Sequence, residues 1–421
     1  MQISDSTSKG KKKQHVNICI PKEVVAEILQ RVPGQDLLET LKKVCMQWCS
    51  IIYSGRFAYS HIERGILKSS FSQLEAVIIS MTDDRSSFIV SALEWHSFPT
   101  RELGEHERYW KAKYIYMVNN VFLHRISYMM RVNSVYGFVC FWSDDACLHV
   151  CNPITKEYLT TPPYSYTNTY MAPVHHQLVA VGFGFCHLSY EYKLVVLHED
   201  AVEYGETKPF VLTCRAGCLW RSLKAIPDTK FISRGQTGAH VKGVLYWYLE
   251  SCTPKDWPQT IKRLVCFDLT TEEFDMIMVP AEIDGGVQGL QYVISITEKG
   301  GNLCLINISH VYFCSLLIQV YVAAHSAAAD LSSINSWKKE FTVTVPNMAY
   351  NININHLFVL VVTDDMLVIQ LSDGKTFGFI NVATGMLLTG LRLNLSTIVI
   401  PYVPSLVSFA HIPPLLGANL V

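Results

Sequence analysis

The sequence predicts a multidomain chain: a small all-α, helical domain followed by a larger all-β, propeller-like domain. Three observations support this prediction. Apolar residues recur at helical spacing between residues 21 and 52. From about residue 114 onward, short apolar runs alternate with glycine, proline, asparagine and aspartate, which is typical of all-β domains. Within that part, two kinds of strand end alternate at a regular spacing.

The composition narrows the function classes. The chain has 421 residues, of which 49% are apolar and 17% charged, enough for more than one buried core. Its formal net charge of −1 argues against nucleic acid as a partner, because phosphate binding requires a basic surface. The longest apolar run, residues 311–324, is too short to cross a bilayer and is predicted to be strand.

The 13 cysteines and the polar first 14 residues indicate a reducing compartment, the cytoplasm or the nucleus, with free thiols. Three cysteine pairs are spaced four residues apart: Cys45/Cys49, Cys147/Cys151 and Cys214/Cys218. On a strand, as expected for Cys147 and Cys151, this spacing separates the two residues by about 13 Å, too far to share one metal ion. Cys45 and Cys49 are neighbours on a helix, but no second ligand pair lies nearby in sequence. We therefore expect no metal, and we also expect no cofactor.

The first helix is predicted to begin at Pro21, which suits a first turn, and to end at Pro33 and Gly34. A second helix is predicted to begin at Asp36, with Glu39 completing a capping box. Its apolar stripe has helical spacing and consists of Leu37, Leu38, Leu41, Val44, Cys45 and Trp48. Ile51 and Ile52 extend this set, and Gly55 is expected to break it.

Two interpretations of these short helices remain open. They can form a small subdomain that packs on the β domain. Alternatively, part of the stripe can face a partner protein that completes the core, since about 45 residues bury little apolar surface alone.

The all-β part contains a hidden repeat. Three strand ends have the form apolar–apolar–(Asn or Asp)–x–x–Thr and are centred on Asn152, Asp268 and Asn381, which lie 116 and 113 residues apart (268 − 152 and 381 − 268). Between them, strand ends at Trp220 and Trp337 lie 117 residues apart (337 − 220). Two unlike units thus alternate, each near the ~50 residues of a kelch-type propeller blade. A β-sandwich is the alternative.

No catalytic motif stands out. Residues 181–185 contain G-x-G, but without a third glycine or a following helix they indicate a close-packed strand or bulge rather than a dinucleotide site. His175 and His176 are expected in a surface loop.

Residues 20 to 61 resemble the F-box. The resemblance rests on an ordered set: Ile20-Pro21, Glu27-Ile28-Leu29, Arg31-Val32-Pro33, Leu37-Leu38, Val44-Cys45, Trp48, Ile51-Ile52, Phe57 and His61. Two features depart from the family pattern. Met46 stands where a basic residue is usual, and the spacing from Leu38 to Val44 is one residue longer than the commonest form.

The remainder resembles the kelch-like F-box-associated domain of plant F-box proteins. The matching segments occur in family order at 137–140, 151–157, 182–185, 190–195, 220–221, 243–247, 267–269, 336–337 and 402–407. The resemblance divides the chain into a disordered basic terminus (1–16), the F-box (17–62), a connector (63–113), the propeller-like domain (114–410) and a tail (411–421).

The resemblance implies a substrate receptor of an SCF-type (Skp1–cullin–F-box) ubiquitin ligase, without catalysis of its own. The F-box would bind a Skp1-type adaptor, and through it cullin and RING subunits, while the β domain holds an unknown target near the E2. The expected adaptor contacts, some of which belong instead to the domain's own core, are Pro21, Ile28, Leu29, Pro33, Leu37, Leu38, Val44, Trp48 and Ile52.

Target contacts are expected in the loop 161–172, with Tyr164, Tyr166 and Tyr170 as candidates because tyrosines are common interface anchors. Two rival functions remain. One is a non-degradative interaction protein with a degenerate F-box. The other is an enzyme with an unrecognised site in the propeller cavity.

Overall fold

The computed structural model describes most of the chain between residues 20 and 411. The described ranges are 20–68, 75–82, 87–99, 106–119, 129–164, 178–199, 207–215, 217–224, 226, 230–231, 235–252, 261–280, 283, 292–311, 315–325, 334–346, 357–370, 376–392 and 397–411. Within them, four α-helices precede 26 β-strands that form six sheets. None of the helices in these ranges is long and apolar enough to span a membrane.

The helical domain is built from four short elements and one longer one. These are α1 (Lys22–Leu29), α2 (Gly34–Glu39), a 3-10 helix (Leu41–Lys43), α3 (Met46–Ile52) and α4 (Gly55–Lys68). Helix α1 begins after Pro21, as predicted. Helix α4 begins after Ser54, whose hydroxyl oxygen accepts a 3.3 Å hydrogen bond from the backbone N–H of Phe57.

The prediction of one continuous helix from Asp36 to Trp48 is wrong. A 3-10 turn interrupts it, and Cys45 is fully extended (φ −162°, ψ 166°) immediately before α3. In one straight helix Leu37 and Ile52 would lie about 22 Å apart along the axis. The break lets both enter the same core. The two glycines expected to end helical segments, Gly34 and Gly55, instead begin α2 and α4.

Each of the six sheets is one propeller blade. Blade 1 contains β1 (Glu75–Met81), β2 (Ser87–Pro99) and β3 (His106–Asn119). Blade 2 contains β4 (Met129–Val135), β5 (Phe138–Ser143), β6 (Leu148–Asn152) and β7 (Glu157–Thr160). Blade 3 contains β8 (Leu178–Cys186), β9 (Glu191–Glu199), β10 (Thr207–Thr213), β11 (Arg221–Ser222) and β13 (Gln236–Thr237), which pairs with β8 in parallel. The short strand β12 (Lys230–Phe231) joins blade 4.

The remaining strands complete the ring. Blade 4 also contains β14 (Ala239–Val241), β15 (Val244–Cys252), β16 (Ile261–Asp268) and β17 (Phe274–Met278). Blade 5 contains β18 (Tyr292–Lys299), β19 (Asn302–Val311), β20 (Ser315–His325) and β21 (Ile334–Val345). Blade 6 contains β22 (Phe358–Val362), β23 (Met366–Gln370), β24 (Thr376–Asn381) and β25 (Leu387–Arg392). The last strand, β26 (Thr397–Tyr402), returns to blade 1.

Pairing between the two ends of the propeller closes the ring. Strand β26 is the innermost strand of blade 1 and runs antiparallel to β1, with Val77 opposite Ile400. This closure rules out the β-sandwich alternative. Residues 63–113, expected to be a connector, instead contain the end of α4, all of β1 and β2, and the first eight residues of β3. Local pattern could not reveal β1, because its inner partner β26 lies over 300 residues away.

The predicted alternation of two units is confirmed. Asn152, Asp268 and Asn381 are each the last residue of the third strand of a blade, in blades 2, 4 and 6. In each turn, the side-chain oxygen accepts a backbone N–H two or three residues on. Trp220 lies directly before β11, the fourth strand of blade 3, and Trp337 lies within β21, the fourth strand of blade 5. One repeat is therefore two blades.

The helical domain packs on one face of the propeller and shares its core. Leu29 and Leu37 belong to the same buried cluster as Phe138 of blade 2 and Phe185 of blade 3. A methyl group placed on Gly34 would lie 3.6 Å from Leu406, in the segment that follows β26. The first of the two interpretations, in which the helices pack on the β domain, is thus correct for the side of the helices that carries Leu29 and Leu37.

Candidate partner-binding surfaces

The helical domain exposes a set of apolar side chains near its first helix and around the start of α3. The exposed residues there, which we call the apolar face, are Ile20 (48%), Val24 (45%), Ile28 (50%), Val44 (56%) and Met46 (85%). Exposed apolar residues gathered in one small domain mark an interaction surface more often than single scattered ones do. An exposed ion pair lies beside these residues: Glu27 of α1 and Arg31, two residues after the end of α1, are 3.1 Å apart.

The structure divides the nine predicted adaptor contacts. Leu29, Leu37 and Ile52 are at most 1% exposed and form the core. Leu38 and Trp48 are half-buried and pack against that core. The remaining four, Pro21, Ile28, Pro33 and Val44, are exposed. Ile20, Val24 and Met46 were not among the predicted contacts, because a helical stripe does not show which of its edges is covered.

The junction between helices and propeller is aromatic. Tyr59 of α4 packs 5.5 Å from Phe185 and 5.6 Å from Tyr190, ring centre to ring centre. Tyr136, on the turn after β4, lies 5.0 Å from the same Phe185 ring. Burial, with a smaller contribution from Tyr190, raises the pKa of Tyr59 above its ordinary value. The tyrosine stays neutral, and the contact stays apolar at any physiological pH.

A segment after β26 lies between blade 2 and the helices. Glu157 accepts hydrogen bonds from the Ser408 hydroxyl (2.6 Å) and the Phe409 N–H (3.3 Å). His61 of α4 forms a 2.8 Å hydrogen bond with the carbonyl oxygen of Val32. The buried cluster that the helices share with blades 2 and 3 holds the apolar face relative to the propeller, so a partner on one domain has a defined position relative to the other.

The propeller encloses a cavity of about 2270 Å³ that opens beside the helices. Its walls come from the innermost strands of the blades and from residues of the helical domain. At the helical end, Lys299 forms ion pairs with Glu340 of its own blade (2.8 Å) and with Asp364 (2.7 Å), and the second pair joins blades 5 and 6. Further along the cavity, Arg131 and Asn133 line the wall of blade 2.

A serine, a histidine and an aspartate meet inside blade 2. The Ser143 hydroxyl lies 2.7 Å from Nε2 of His149 and 2.5 Å from the carboxylate of Asp145. The arrangement is not a hydrolase triad, because the carboxylate contacts the serine rather than the histidine. Ser143 and His149 are also completely buried, under the Phe141 ring and beside Tyr158, out of a substrate's reach.

Of the three tyrosines predicted as target contacts, the structure describes one. Tyr164 is only 6% exposed and packs edge-on against His198 and Trp220, between blades 2 and 3. It is therefore a core residue, and its selection as a surface anchor is wrong. Tyr166 and Tyr170, like His175 and His176, lie outside the described residues.

The G-x-G segment packs as a close strand contact. A methyl group on Gly182 would lie 2.6 Å from the ring of Trp247, and one on Gly184 2.6 Å from Leu269, so blades 3 and 4 approach closely here. This confirms the packing interpretation. Among the cysteines, Cys147 and Cys151 are buried and Cys45 is exposed. The described residues contain no group of three potential metal ligands.

Comparisons with known proteins agree with this architecture. Residues 18–58 match the F-box domain family, and residues 81–373, more than half of the chain, match the F-box associated beta propeller domain family. A putative F-box protein of Arabidopsis thaliana, At1g32420, is 23% identical over 281 residues, covering 65% of this chain and 78% of the relative. A second Arabidopsis thaliana relative, the putative F-box protein At3g52320, is 27% identical over 62% of this chain and 60% of its own length. Among solved structures, a chain of a nidogen/laminin complex aligns over 78% of this chain and 98% of that chain, with a TM-score of 0.41 and 10% identity.

Proposed function

This chain belongs to the family of F-box proteins with an F-box-associated β-propeller domain, and we propose that it is the substrate receptor of an SCF-type ubiquitin ligase. Its two domains indicate an adaptor or receptor role rather than catalysis. In the proposal, the F-box binds a Skp1-type adaptor that connects to cullin and RING subunits. The propeller holds a target protein close to the E2, and proximity alone accelerates transfer. The proposed site of action is the cytoplasm or the nucleus.

The observation that carries the proposal is the apolar face of the F-box. Five apolar residues there are between 45% and 85% exposed, although the chain folds a large core elsewhere. Covering such side chains gains about 25 cal/mol per Å² of apolar surface, so a protein partner would be stabilised on this face. Of the predicted contacts, Ile28 and Val44 lie on it.

The fixed junction between the domains also supports a receptor. The F-box shares its core with blades 2 and 3, which holds the adaptor-facing surface at one position relative to the propeller. On the propeller face opposite the F-box, where the second strands of the blades end, the described residues include no element of the helical domain. We propose that the target binds on that opposite face.

The test is binding of the full chain to a purified Skp1-type adaptor, measured by titration. Ile28→Asp and Val44→Asp should each abolish saturable binding, because a charge on the apolar face would be desolvated in the complex. Both variants should have the same thermal unfolding midpoint as the parent protein, since the two side chains are about half exposed. Met278→Asp, at a residue on blade 4 that is 63% exposed, is the matched control and should bind normally.

Leu37→Asp is unsuitable for this test because Leu37 is completely buried, so lost binding would reflect lost folding. Normal adaptor binding by Ile28→Asp and Val44→Asp would refute the assignment of the apolar face. An alternative role is a non-degradative interaction protein, to which the exposed Met46, in place of a basic residue, gives specific support. Adaptor binding without cullin co-purification would favour that role.

A further inference from the structure

Arg131 reaches into the central channel of the propeller from β4, the innermost strand of blade 2. Its guanidinium carbon lies 5.3 Å from the ring centre of Phe358, at the start of β22 in blade 6. Blades 2 and 6 are not neighbours in the ring, because blade 1 lies between them. The arginine side chain therefore crosses part of the channel.

Both residues lie far from the end of the channel beside the F-box. Arg131 is four residues before the end of β4, and Phe358 is four residues before the end of β22, which places each about 13 Å from the turns beside the F-box. The acidic residues that line the cavity are Glu39, Glu157, Glu298 and Asp364, and they belong to the F-box or to these turns and their edges.

Those acids are engaged at their own end of the cavity. Asp364 pairs with Lys299 at 2.7 Å. Glu157 accepts hydrogen bonds from Ser408 and Phe409, and Glu298 accepts one from the N–H of Gly301. No carboxylate in the described part of the chain pairs with Arg131.

The guanidinium group of Arg131 is left with unused donors. It has five N–H groups in one plane and no acceptor. The contact with the Phe358 ring uses the positive charge of the group and satisfies none of these donors with an acceptor atom. Among the residues that the structure describes, the Phe358 ring is the one group that the guanidinium of Arg131 contacts in this way, and no acceptor atom pairs with it. Burial lowers the pKa of Arg131 to about 10, and no acidic neighbour opposes the change. A half-buried cation without a counter-charge is costly, and an anion would relieve the cost.

We propose that the central channel binds an oxyanion, a carboxylate or a phosphate group, through Arg131. Either group accepts two parallel N–H bonds from a guanidinium edge. Phe358, whose ring centre lies 5.3 Å from the guanidinium carbon, helps to hold the arginine side chain in position. The cavity of about 2270 Å³ exceeds the roughly 300–1,000 Å³ of small-molecule sites, so it admits a free anion or an acidic segment of a protein chain. The site does not depend on adaptor binding.

The test uses the full chain in isothermal titration, with sodium chloride holding the ionic strength constant. The two probes are inorganic phosphate and a capped hexapeptide carrying two glutamates, with its glutamine counterpart as a blank. Arg131→Gln should weaken binding at least about tenfold, the usual effect of removing a charged hydrogen-bond donor. Arg131→Lys keeps the positive charge but lacks the two parallel N–H groups of the guanidinium edge, so its affinity should lie between those of the parent and Arg131→Gln. Arg56→Gln removes an exposed arginine from α4, outside the cavity, and should change nothing.

Either probe can support the proposal. Binding of phosphate alone identifies a free anion as the ligand, and tighter binding of the glutamate peptide identifies an acidic protein segment. Failure of the parent protein to bind either probe at millimolar concentration overturns the proposal, as does equal binding by Arg131→Gln. Circular dichroism establishes that each variant is folded. If Arg131→Gln does not fold, Arg131→Lys decides: unchanged affinity in that variant overturns the fork geometry on which the site rests.

Discussion

The side-chain amide of Asn152 donates a 2.7 Å hydrogen bond to the carbonyl oxygen of Val407, which lies 255 residues further along the chain. The same nitrogen donates to the carbonyl of Ser405 at 3.0 Å. The side-chain oxygen meanwhile accepts the N–H groups of Ile154 and Thr155, which forms the turn after β6. One buried asparagine thus shapes a blade turn and holds the segment on which the F-box rests.

Asn152→Asp should destabilise the protein, because the turn survives but both donors are lost and a carboxylate faces two carbonyl oxygens. We expect a loss of about 3 kcal/mol in the free energy of unfolding. Asn381→Asp is the matched control. Its side chain is half-buried and forms the same turn, and within the described residues its nitrogen donates to no partner. Urea unfolding compares the two variants, and equal losses would contradict the clamping role of Asn152.

Glu272 joins blades 3 and 4 at the F-box face. It accepts hydrogen bonds from the buried Lys193 (2.8 Å) and from Arg221 (2.8 Å to each oxygen). Burial raises the pKa of Glu272, but the hydrogen bonds from Lys193 and Arg221 outweigh this, and the pKa lies below its ordinary value of 4.5. The folded pKa is below the unfolded one, so the stabilisation is complete at neutral pH and is lost as the pH falls through the folded value.

Glu272→Gln should therefore cost about 1 to 3 kcal/mol at pH 7, and the difference from the parent should shrink between roughly pH 5 and 3. Glu273→Gln, at the exposed neighbouring position, should cost little at either pH. Chemical unfolding at several pH values measures both. A cost for Glu272→Gln that does not change with pH would show that the charge plays no part.

His149 predicts a second pH dependence, in a higher range. Burial lowers its pKa to about 4, although Asp145 opposes the change. Because the unfolded histidine titrates near 6.5, only the unfolded state takes up this proton between pH 6.5 and 4. Stability should fall as the pH drops through that range, by up to about 1.4 kcal/mol per pH unit for this residue, and level off below it.

His149→Gln should reduce the slope of unfolding free energy against pH by about one proton between pH 6 and 4.5. The variant is compared with the parent at pH 8 first, which gives the cost of the altered packing alone. A slope identical to that of the parent would mean that His149 is protonated in the folded protein or that the pH dependence has another source.

The elements that the sequence predicted correctly are those fixed by local chemistry. Asn152, Asp268 and Asn381 shape their turns through bonds to their own backbone two or three residues on, so composition and spacing alone revealed the two-blade repeat. Pro21 likewise starts α1 by its own geometry. Blade 1 escaped prediction because its innermost strand comes from the other end of the domain.

The binding surfaces were predictable only in part, for a related reason. Ile28 and Leu29 are adjacent members of one apolar stripe, yet the first is 50% exposed and the second is completely buried. The propeller decides between them, since blades 2 and 3 cover one edge of the stripe. The sequence could not identify Arg131 as a binding residue. Its lack of a carboxylate partner depends on how blades 1, 2 and 6 are arranged around the channel.

Gly182→Ala tests how closely blades 3 and 4 approach. The new methyl group would lie 2.6 Å from Cζ2 of Trp247 and 2.9 Å from Leu245. The Trp247 ring cannot swing aside without cost, because it is completely buried and its Nε1 donates a 2.9 Å hydrogen bond to the carbonyl of Val181. We expect a loss of about 1 to 3 kcal/mol in the free energy of unfolding, the usual cost of overpacking a core.

Gly34→Ala is the matched control for this substitution. Its methyl group would meet Leu406 at 3.6 Å and Ile154 at 3.8 Å, which are ordinary contacts. The change should be neutral or stabilising by up to about 1 kcal/mol, because alanine restricts the unfolded chain. Thermal and urea unfolding of both variants give the comparison. If Gly182→Ala were as stable as Gly34→Ala, the two blades would have room to separate, and glycine at 182 would not be required for their packing.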